Sequence, residues 1–283
     1  LHLCLLTAFL GLLLSGCARH EPPADVTIIN GNEPESLDPH IVTGVSEMRI
    51  TKALFDGLIR LDPRTAAPVP GLAERWEISA DGRTYTFHLR TNAVWSTGEP
   101  ITSADVVWSW FRALSPTTAG DYAGQLFCIQ RAEDWYNGKI TDRSQVGIRA
   151  LDERTLRVEL NSPLAFFLEL CSFPTLAVVP QRTIEQYGDR WLHTKPLPTS
   201  GAFTLGAWRV NDKVRLLRNP RYWDATNTAS AIIDILPVGS PNTALNLYET
   251  GAADVVWDKD LVPSELMDVL VTRPDFHSFT YLG

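Results

Sequence analysis

Several patterns that mark catalytic proteins are missing from this 283-residue chain. It has no G-x-S-x-G, H-E-x-x-H or C-x-x-C motif and no glycine loop that would cradle a phosphate, which argues against the common hydrolase, zinc-protease and nucleotide-binding sites. The histidines that follow the first 16 residues do not fall at metal-ligand spacing from one another; they are His20, His40, His88, His193 and His277. We therefore predict no metal, no cofactor and no catalytic residue, and we expect binding rather than turnover.

Clusters of basic residues are missing as well. Acidic residues outnumber Lys and Arg by 33 to 25, and the formal net charge is −8. A surface that binds phosphates needs clustered Lys and Arg, so nucleic acid is not expected as a partner. The 45% of hydrophobic residues can instead form the core of one large domain or of two ordinary ones.

No apolar run is long enough to cross a bilayer. The run from Leu3 to Leu14 would rise about 18 Å as a helix, against a hydrocarbon core of about 30 Å. This length is typical of a secretion signal, and Leu14-Ser15-Gly16-Cys17 fits the lipobox of bacterial lipoproteins. We predict a lipoprotein signal peptide over residues 1–16, followed by a lipidated Cys17 and a tether over residues 17–25. A lipid anchor would then be the only contact with the membrane.

An ordinary signal peptide followed by a chance cysteine is the alternative. No Lys or Arg precedes the apolar run, and the chain starts with Leu rather than Met. We therefore expect that a few starting residues are missing or that the start codon was misread.

The chain has only four cysteines. Cys4 would leave with the signal and Cys17 would carry lipid, so Cys128 and Cys171 remain. Export permits a disulfide between them, but its formation requires a Cα–Cα distance of about 4.4–6.8 Å, which a sequence does not give. Two alternatives stay open, a bridge or two free buried thiols.

Hydrophobic periodicity and turn residues predict an α/β chain. Strands are expected at 26–29, 84–89, 155–160, 232–236 and 253–257, with a hairpin over 203–217. Helices are expected at 46–59 with Gly57 as a stop, after Thr102, at 163–170, at 184–191 with an end near Gly188, and at 242–249. The alternation over 84–89 places Tyr85, Phe87 and Leu89 on one face, and Gly251 is a natural C-cap.

Nine short segments occur together in a fixed order: Glu35–His40, Leu54–Leu58, Pro70–Trp76, Thr86–Arg90, Trp95–Thr102, Asp105–Trp110, Thr199–Phe203, Arg218–Trp223 and Gly251–Asp254. In order and spacing they resemble the family 5 extracellular solute-binding proteins of ABC importers, and most of all the oligopeptide-binding members. The resemblance extends over residues 26–283. We expect these segments to be scaffold rather than ligand contacts.

The resemblance implies a fold of the periplasmic-binding-protein-like α/β type (class II, three-domain), truncated before its third domain. It assigns residues 26–55 to the first segment of domain I, 56–180 to domain II and 181–283 to the second segment of domain I. Domain III and the closing part of domain I would lie beyond Gly283.

The same resemblance implies a monomer that captures oligopeptides outside the cytoplasmic membrane and delivers them to the permease subunits of an ABC transporter. The expected location is periplasmic or at the cell surface, held by the lipid. Such proteins enclose an extended peptide between two lobes that close by a hinge motion. Alternative ligands are a dipeptide, a murein peptide, a nickel complex or haem. An exported hydrolase and a peptide sensor without a transporter are alternatives from other classes.

Ligand-binding positions can be carried over at three places. Thr43-Gly44-Val45-Ser46 matches the family loop that faces the peptide, although oligopeptide binders often have an acid where Thr43 stands. Tyr122 matches a tyrosine of the cleft. Trp257 stands at the place of another cleft aromatic, and Asp258 follows where relatives have an amide. For each position the alternative is packing or a solvated loop.

Overall fold

The computed structural model describes residues 21–277. The predicted signal peptide, the lipidation site Cys17 and the first part of the tether lie outside the described residues. No helix within 21–277 is both long enough and apolar enough to cross a membrane.

Strands make up three sheets. Within residues 21–277 they are β1 Val26–Ile29, β2 Ile59–Leu61, β3 Pro68–Pro70, β4 Ala73–Ile78, β5 Thr84–Leu89, β6 Ile148–Ala150, β7 Thr155–Glu159, β8 Phe203–Arg209, β9 Lys213–Arg218, β10 Ile232–Leu236 and β11 Val255–Val256. The strand orders are β11-β1-β10-β9-β8, β4-β5-β7-β6 and β2-β3.

Helices connect and cover these strands. In the same range the α-helices are α1 Val45–Leu54, α2 Ser103–Ala113, α3 Ala132–Tyr136, α4 Phe167–Leu170, α5 Gln181–Tyr187, α6 Pro241–Glu249 and α7 Met267–Leu270. Short 3₁₀ turns occur at Pro116–Thr118, Ala123–Cys128, Arg143–Gln145, Pro174–Leu176, Gly188–His193, Ala225–Asn227, Lys259–Leu261 and Ser264–Leu266.

The five-stranded sheet is mixed. Its strand β1 runs parallel to both of its neighbours, so that Ile28 pairs with Ile235 on one side and with Val255 on the other. Strands β10, β9 and β8 continue the sheet as antiparallel pairs. The chain passes from β10 through α6 to β11, which is the strand–helix–strand unit that the sequence predicts for this region.

The antiparallel sheet confirms the predicted alternation. Tyr85, Phe87 and Leu89 are all buried, and the residues between them are half-buried. Together with α2 this sheet encloses a large core that extends from Leu58 to Val178. A second core packs α1 against the five-stranded sheet; its members include Leu37, Ile50, Leu54, Trp191, Val214, Leu216 and Ile235.

Two predicted helix ends are confirmed. Asp105 Oδ2 accepts hydrogen bonds of 2.7 Å from both the amide and the hydroxyl of Thr102, so the predicted capping pair starts α2. Gly251 has a φ of +73° directly after the C-cap residue Thr250, which is the left-handed conformation that closes a helix.

Other predicted boundaries were wrong. The helix expected over 46–59 ends at Leu54, because Phe55 is extended and the amide of Asp56 donates to Ser200 Oγ at 2.9 Å. The helix expected at 163–170 is confined to Phe167–Leu170. The helix expected at 184–191 begins earlier, at Gln181, but its predicted end near Gly188 is confirmed, because Gly188 follows Tyr187 as the C-cap and a 3₁₀ turn takes over. The strand expected at 253–257 is regular only over Val255–Val256, although the amides of Asp254 and Trp257 on either side also donate to the neighbouring strand.

Candidate ligand-binding site

The carboxyl ends of three parallel strands meet at one edge of the five-stranded sheet. These ends are Ile29 of β1, Leu236 of β10 and Val256 of β11. In open α/β sheets ligands bind in the crevice outside such strand ends, because the loops that follow them gather there. The loop after β1 leads to α1, and β11 leads directly to Trp257 and Asp258.

Two of the three predicted contact regions come together at this edge. Arg49 on α1 donates from Nη1 to Asp258 Oδ2 at 3.0 Å and to Asn30 Oδ1 at 3.1 Å. Asn30 directly follows β1, and its Nδ2 donates to the carbonyl of Ser46 at 2.8 Å. A continuous set of polar contacts therefore joins the start of α1 to Asp258.

Exposed apolar side chains border these polar contacts. Trp257 is 53% exposed and Val45 is 59% exposed. The amide of Trp257 donates to the carbonyl of Ile29 at 2.9 Å, and the Arg49 guanidinium lies 5.7 Å from the centroid of its ring. The backbone of Trp257 is thus fixed while its ring remains available to a ligand.

Glu47 holds the predicted peptide-facing loop in shape. Its side chain is buried; Oε2 accepts from the amide of Gly44 at 3.0 Å, and Oε1 accepts from the amide of Glu35 at 2.8 Å. A carboxylate at the third helical position is the expected partner for the N-cap amide. Thr43 lies just before this cap with its side chain exposed.

Tyr122 lies elsewhere. It is half-buried, and its ring packs edge to face against Phe173 at 5.0 Å between centroids. Phe173 lines a cavity of about 230 Å³ together with Lys52 of α1 and with Phe55 and Asp56, which follow that helix. Within residues 21–277, no hydrogen bond, aromatic pair or cation–π contact joins Tyr122 to Trp257 or Asp258.

A second cavity, of about 460 Å³, contains a buried ion pair in its wall. Arg112 donates to both carboxylate oxygens of Asp38, at 3.0 and 2.5 Å, and Trp191 Nε1 donates to Asp38 Oδ2 at 3.3 Å. Burial opposes ionisation of Asp38, but the hydrogen bonds and charge of Arg112 hold its pKa below the usual value. His40 accepts from Arg112 at Nδ1 and contacts the carbonyl of Ala177 through Nε2.

Asp56 links three of the nine sequence segments. Its Oδ2 accepts hydrogen bonds from Tyr222 Oη at 3.0 Å and Trp223 Nε1 at 2.9 Å, while its amide donates to Ser200 Oγ. Burial raises the pKa of this carboxyl. The carboxylates of Asp56 and Asp38 are both occupied by other parts of the chain, which is what a scaffold role requires.

The two remaining cysteines are free thiols in the structure. Cys171 is buried, and burial raises its pKa well above the usual value. Cys128 is half-buried, and its pKa is raised to about 11 for the same reason. Neither environment favours the thiolate, which is the reactive form.

Residues 21–277 contain no group of three or more His, Cys, Asp or Glu side chains that could hold a metal ion. The site described above offers instead aromatic and aliphatic surface, a loop at a helix start and a closed ion pair, which suit an organic ligand.

The sequence profile of the bacterial extracellular solute-binding proteins, family 5 (middle part), matches residues 67–270. The chain belongs to this family. It is 39% identical to the periplasmic oligopeptide-binding protein OppA of Salmonella typhimurium over 243 residues, which are 85% of this chain and 44% of that protein. It is 37% identical to the probable deoxycholate-binding periplasmic protein YgiS of Escherichia coli over 261 residues, 88% of this chain and 48% of that protein.

A solved structure of a similar protein has the same fold. The crystal structure of a periplasmic oligopeptide-binding protein from Borrelia burgdorferi superposes with a TM-score of 0.85 at 34% identity, covering 89% of this chain and 50% of that one. The expected periplasmic-binding-protein α/β fold is therefore confirmed. The chain spans about half the length of the family 5 proteins it matches.

Sequence reasoning did not find Asn30 and Arg49. The signal for Asn30 is its position as the polar residue that directly follows strand β1, at the edge where the parallel strands end. Arg49 stands three residues after Ser46 on a helix, and this spacing places both on one side. Its partner Asp258 lies 209 residues further along, so the pairing itself required the structure.

Proposed function

We propose that this family 5 protein captures oligopeptides outside the cytoplasmic membrane and delivers them to the permease subunits of an ABC importer. The observation that carries the proposal is the exposed Trp257 beside the start of α1, at the carboxyl edge of the sheet. The 39% identity to an oligopeptide-binding protein supports the choice of ligand class.

The arrangement suits an extended peptide. The first turn of α1 begins at Val45, and first-turn amides have no partner within a helix, so they can bind peptide carbonyl groups. Backbone pairing of this kind gives affinity without demanding a particular side chain. Trp257 then supplies contact area for one ligand side chain, and ordered water can adapt the remaining contacts.

The remaining parts of the function belong to the same proposal. Residues 26–55 and 181–283 would form one lobe, and residues 56–180 a flanking domain. A lipid on Cys17 would hold the protein in the periplasm or at the cell surface as a monomer. The protein would bind without turnover. The carboxylates of Glu47, Asp38 and Asp56 are already used by other parts of the chain, in loop shape and packing.

A titration with short peptides tests this proposal. We suggest using the full-length protein without its signal and lipid, and comparing it with Trp257→Ala by calorimetry. Loss of a central aromatic contact is expected to weaken binding about tenfold or more. Phe166→Ala is the matched control, because Phe166 is 57% exposed and lies at the start of α4, in the predicted flanking domain; it should leave the affinity unchanged.

Binding of a bile acid is the second candidate, because one relative at 37% identity has the name of a probable deoxycholate-binding protein. An apolar steroid face could cover Trp257 and Val45. A protein that binds deoxycholate and ignores a mixed peptide pool would replace the peptide proposal with this one. A protein that binds a nickel complex or haem from the medium would likewise contradict the peptide proposal.

A further inference from the structure

Two ion pairs lie at the carboxyl edge of the sheet, beside the buried carboxylate of Glu47, which accepts from backbone amides. Arg49 pairs with Asp258 at 3.0 Å, and Lys259 pairs with Asp260 at 2.6 Å. The four charges sum to zero, and Thr43 at the neighbouring loop is uncharged. A ligand side chain that lies on Trp257 therefore meets a surface with both signs but no excess of either.

Both oxygens of the Asp258 carboxylate are occupied. Oδ2 accepts from Arg49, and Oδ1 accepts from the amide of Asp260 at 3.1 Å. The side chains of Arg49 and Asp258 nevertheless remain 22% and 20% exposed, so a ligand can approach either group. A cationic ligand group would have to displace Arg49 in order to reach Asp258.

Arg49 is held in place by more than its partner. Asn30 accepts its second hydrogen bond at 3.1 Å, and the ring of Trp257 lies beside the guanidinium. Such contacts favour one orientation of a planar, always charged group. The pair is therefore a built part of the edge and not a chance meeting of two flexible surface side chains.

We propose that the Arg49–Asp258 pair determines the charge preference for the ligand side chain that lies on Trp257. When Arg49 and Asp258 are both present and paired, the surface favours uncharged ligand side chains. When Arg49 is removed, the exposed Asp258 carboxylate favours cationic side chains; when Asp258 is removed, the released Arg49 favours anionic ones. Arg49 is thus a specificity-determining residue, and this inference rests on the proposed peptide-binding function.

A charge-swap experiment on peptide binding tests the inference. The probes are trialanine and the six tripeptides that carry a single Lys or a single Glu at each position. The full-length, lipid-free protein is compared with Arg49→Gln, Asp258→Asn and the double variant. The measured quantity is the ratio of the dissociation constants for the Lys and Glu peptides.

The unchanged protein is expected to bind the Lys and Glu peptides with a ratio near one at the position over Trp257. Arg49→Gln should shift this ratio about tenfold towards Lys, and Asp258→Asn about tenfold towards Glu, because a nearby unpaired charge at a partly exposed site contributes on this scale. The double variant should return the ratio to near one. Raising the salt concentration should shrink both shifts.

Equal weakening of every peptide by both single variants would overturn the inference, because a merely structural role lowers affinity without changing the ratio. Arg49→Lys keeps the charge and is expected to keep the ratio, so it separates loss of charge from loss of folding. If the unchanged protein binds none of the seven tripeptides, the proposed function fails. If it binds them and the ratios do not move, only the present inference fails.

Discussion

Tyr222 Oη donates a 3.0 Å hydrogen bond to Asp56 Oδ2, and this contact joins segments 166 residues apart. Asp56 follows the end of α1, and Tyr222 follows β9. Burial raises the pKa of both groups, so a neutral phenol donates to the buried Asp56 carboxyl, alongside Trp223 Nε1 and the amide of Gly57. The contact fixes how α1 is connected to the five-stranded sheet, and hence where the start of α1 lies.

Replacing Tyr222 by Phe should therefore lower stability. A hydrogen bond to a charged group contributes about 1.5–3 kcal/mol, and its loss leaves a buried carboxylate short of a donor. We expect the free energy of unfolding in urea to fall by about this amount. Tyr187→Phe is the control, because Tyr187 is exposed; equal losses in the two variants would contradict the role of the Asp56 contact.

Acid should destabilise the protein through His40. Burial and the neighbouring Arg112 lower the pKa of His40 from 6.5 to about 4. At pH values between about 4 and 6.5, His40 is protonated in the unfolded chain but stays neutral in the native state. The stability that comes from this difference is complete above about pH 6.5 and is lost as the pH falls towards 4. Between about pH 7.5 and 5 this loss is about 2 kcal/mol.

A His40→Gln variant should lack this part of the pH dependence. Urea unfolding at the two pH values gives the difference directly, with the exposed His277→Gln as control. If the loss between the two pH values is the same in His40→Gln as in the unchanged protein, another group is responsible.

Gly201 should not tolerate a side chain. A Cβ at this position would lie 2.5 Å from the carbonyl oxygen of Ala53, and the amide of Gly201 is bonded to the carbonyl of Leu54 at 2.9 Å. Since backbone atoms are in the way, Gly201→Ala should cost about 1–3 kcal/mol in the free energy of unfolding. In Gly124→Ala the nearest atoms are 4.0 Å away, and the melting temperature should hardly change. A larger loss of stability in Gly124→Ala than in Gly201→Ala would contradict the close approach of Gly201 to the backbone of Ala53.

Cys128 and Cys171 should be free thiols that hardly react with an alkylating agent in the native protein. In the native protein we expect iodoacetamide to leave Cys171 unlabelled and to label Cys128 very slowly, since a pKa of about 11 leaves little thiolate at neutral pH. After denaturation without a reductant both cysteines should react, which mass spectrometry of the digested protein can show. Labelling that appears only after reduction would demonstrate a bridge instead.

Local patterns in the sequence predicted those elements whose ends and faces are decided locally. The alternation of Tyr85, Phe87 and Leu89 and the pairing of Thr102 with Asp105 both involve neighbours within a few residues. The end of α1 was predicted wrongly, because it is decided by the distant Ser200, which binds the amide of Asp56.

In the candidate site, too, contacts between residues distant in the sequence could not be predicted. Resemblance placed Trp257 and the loop at Thr43–Ser46 in one region, and the parallel strand ends provide a physical reason for that placement. The sequence could not reveal Arg49, because an arginine on a helix is compatible with solvent until its partner Asp258 is known. Whether Tyr122 also contacts a ligand stays a prediction.

Native mass spectrometry of the full-length, lipid-free protein, recorded as purified and again after a mixed peptide pool is added, tests the central claim most directly. We expect a series of added masses that match bound short peptides and that disappear on denaturation. A protein that carries no adduct and stays unchanged in the peptide pool, or one that carries a single discrete non-peptide mass, would contradict it.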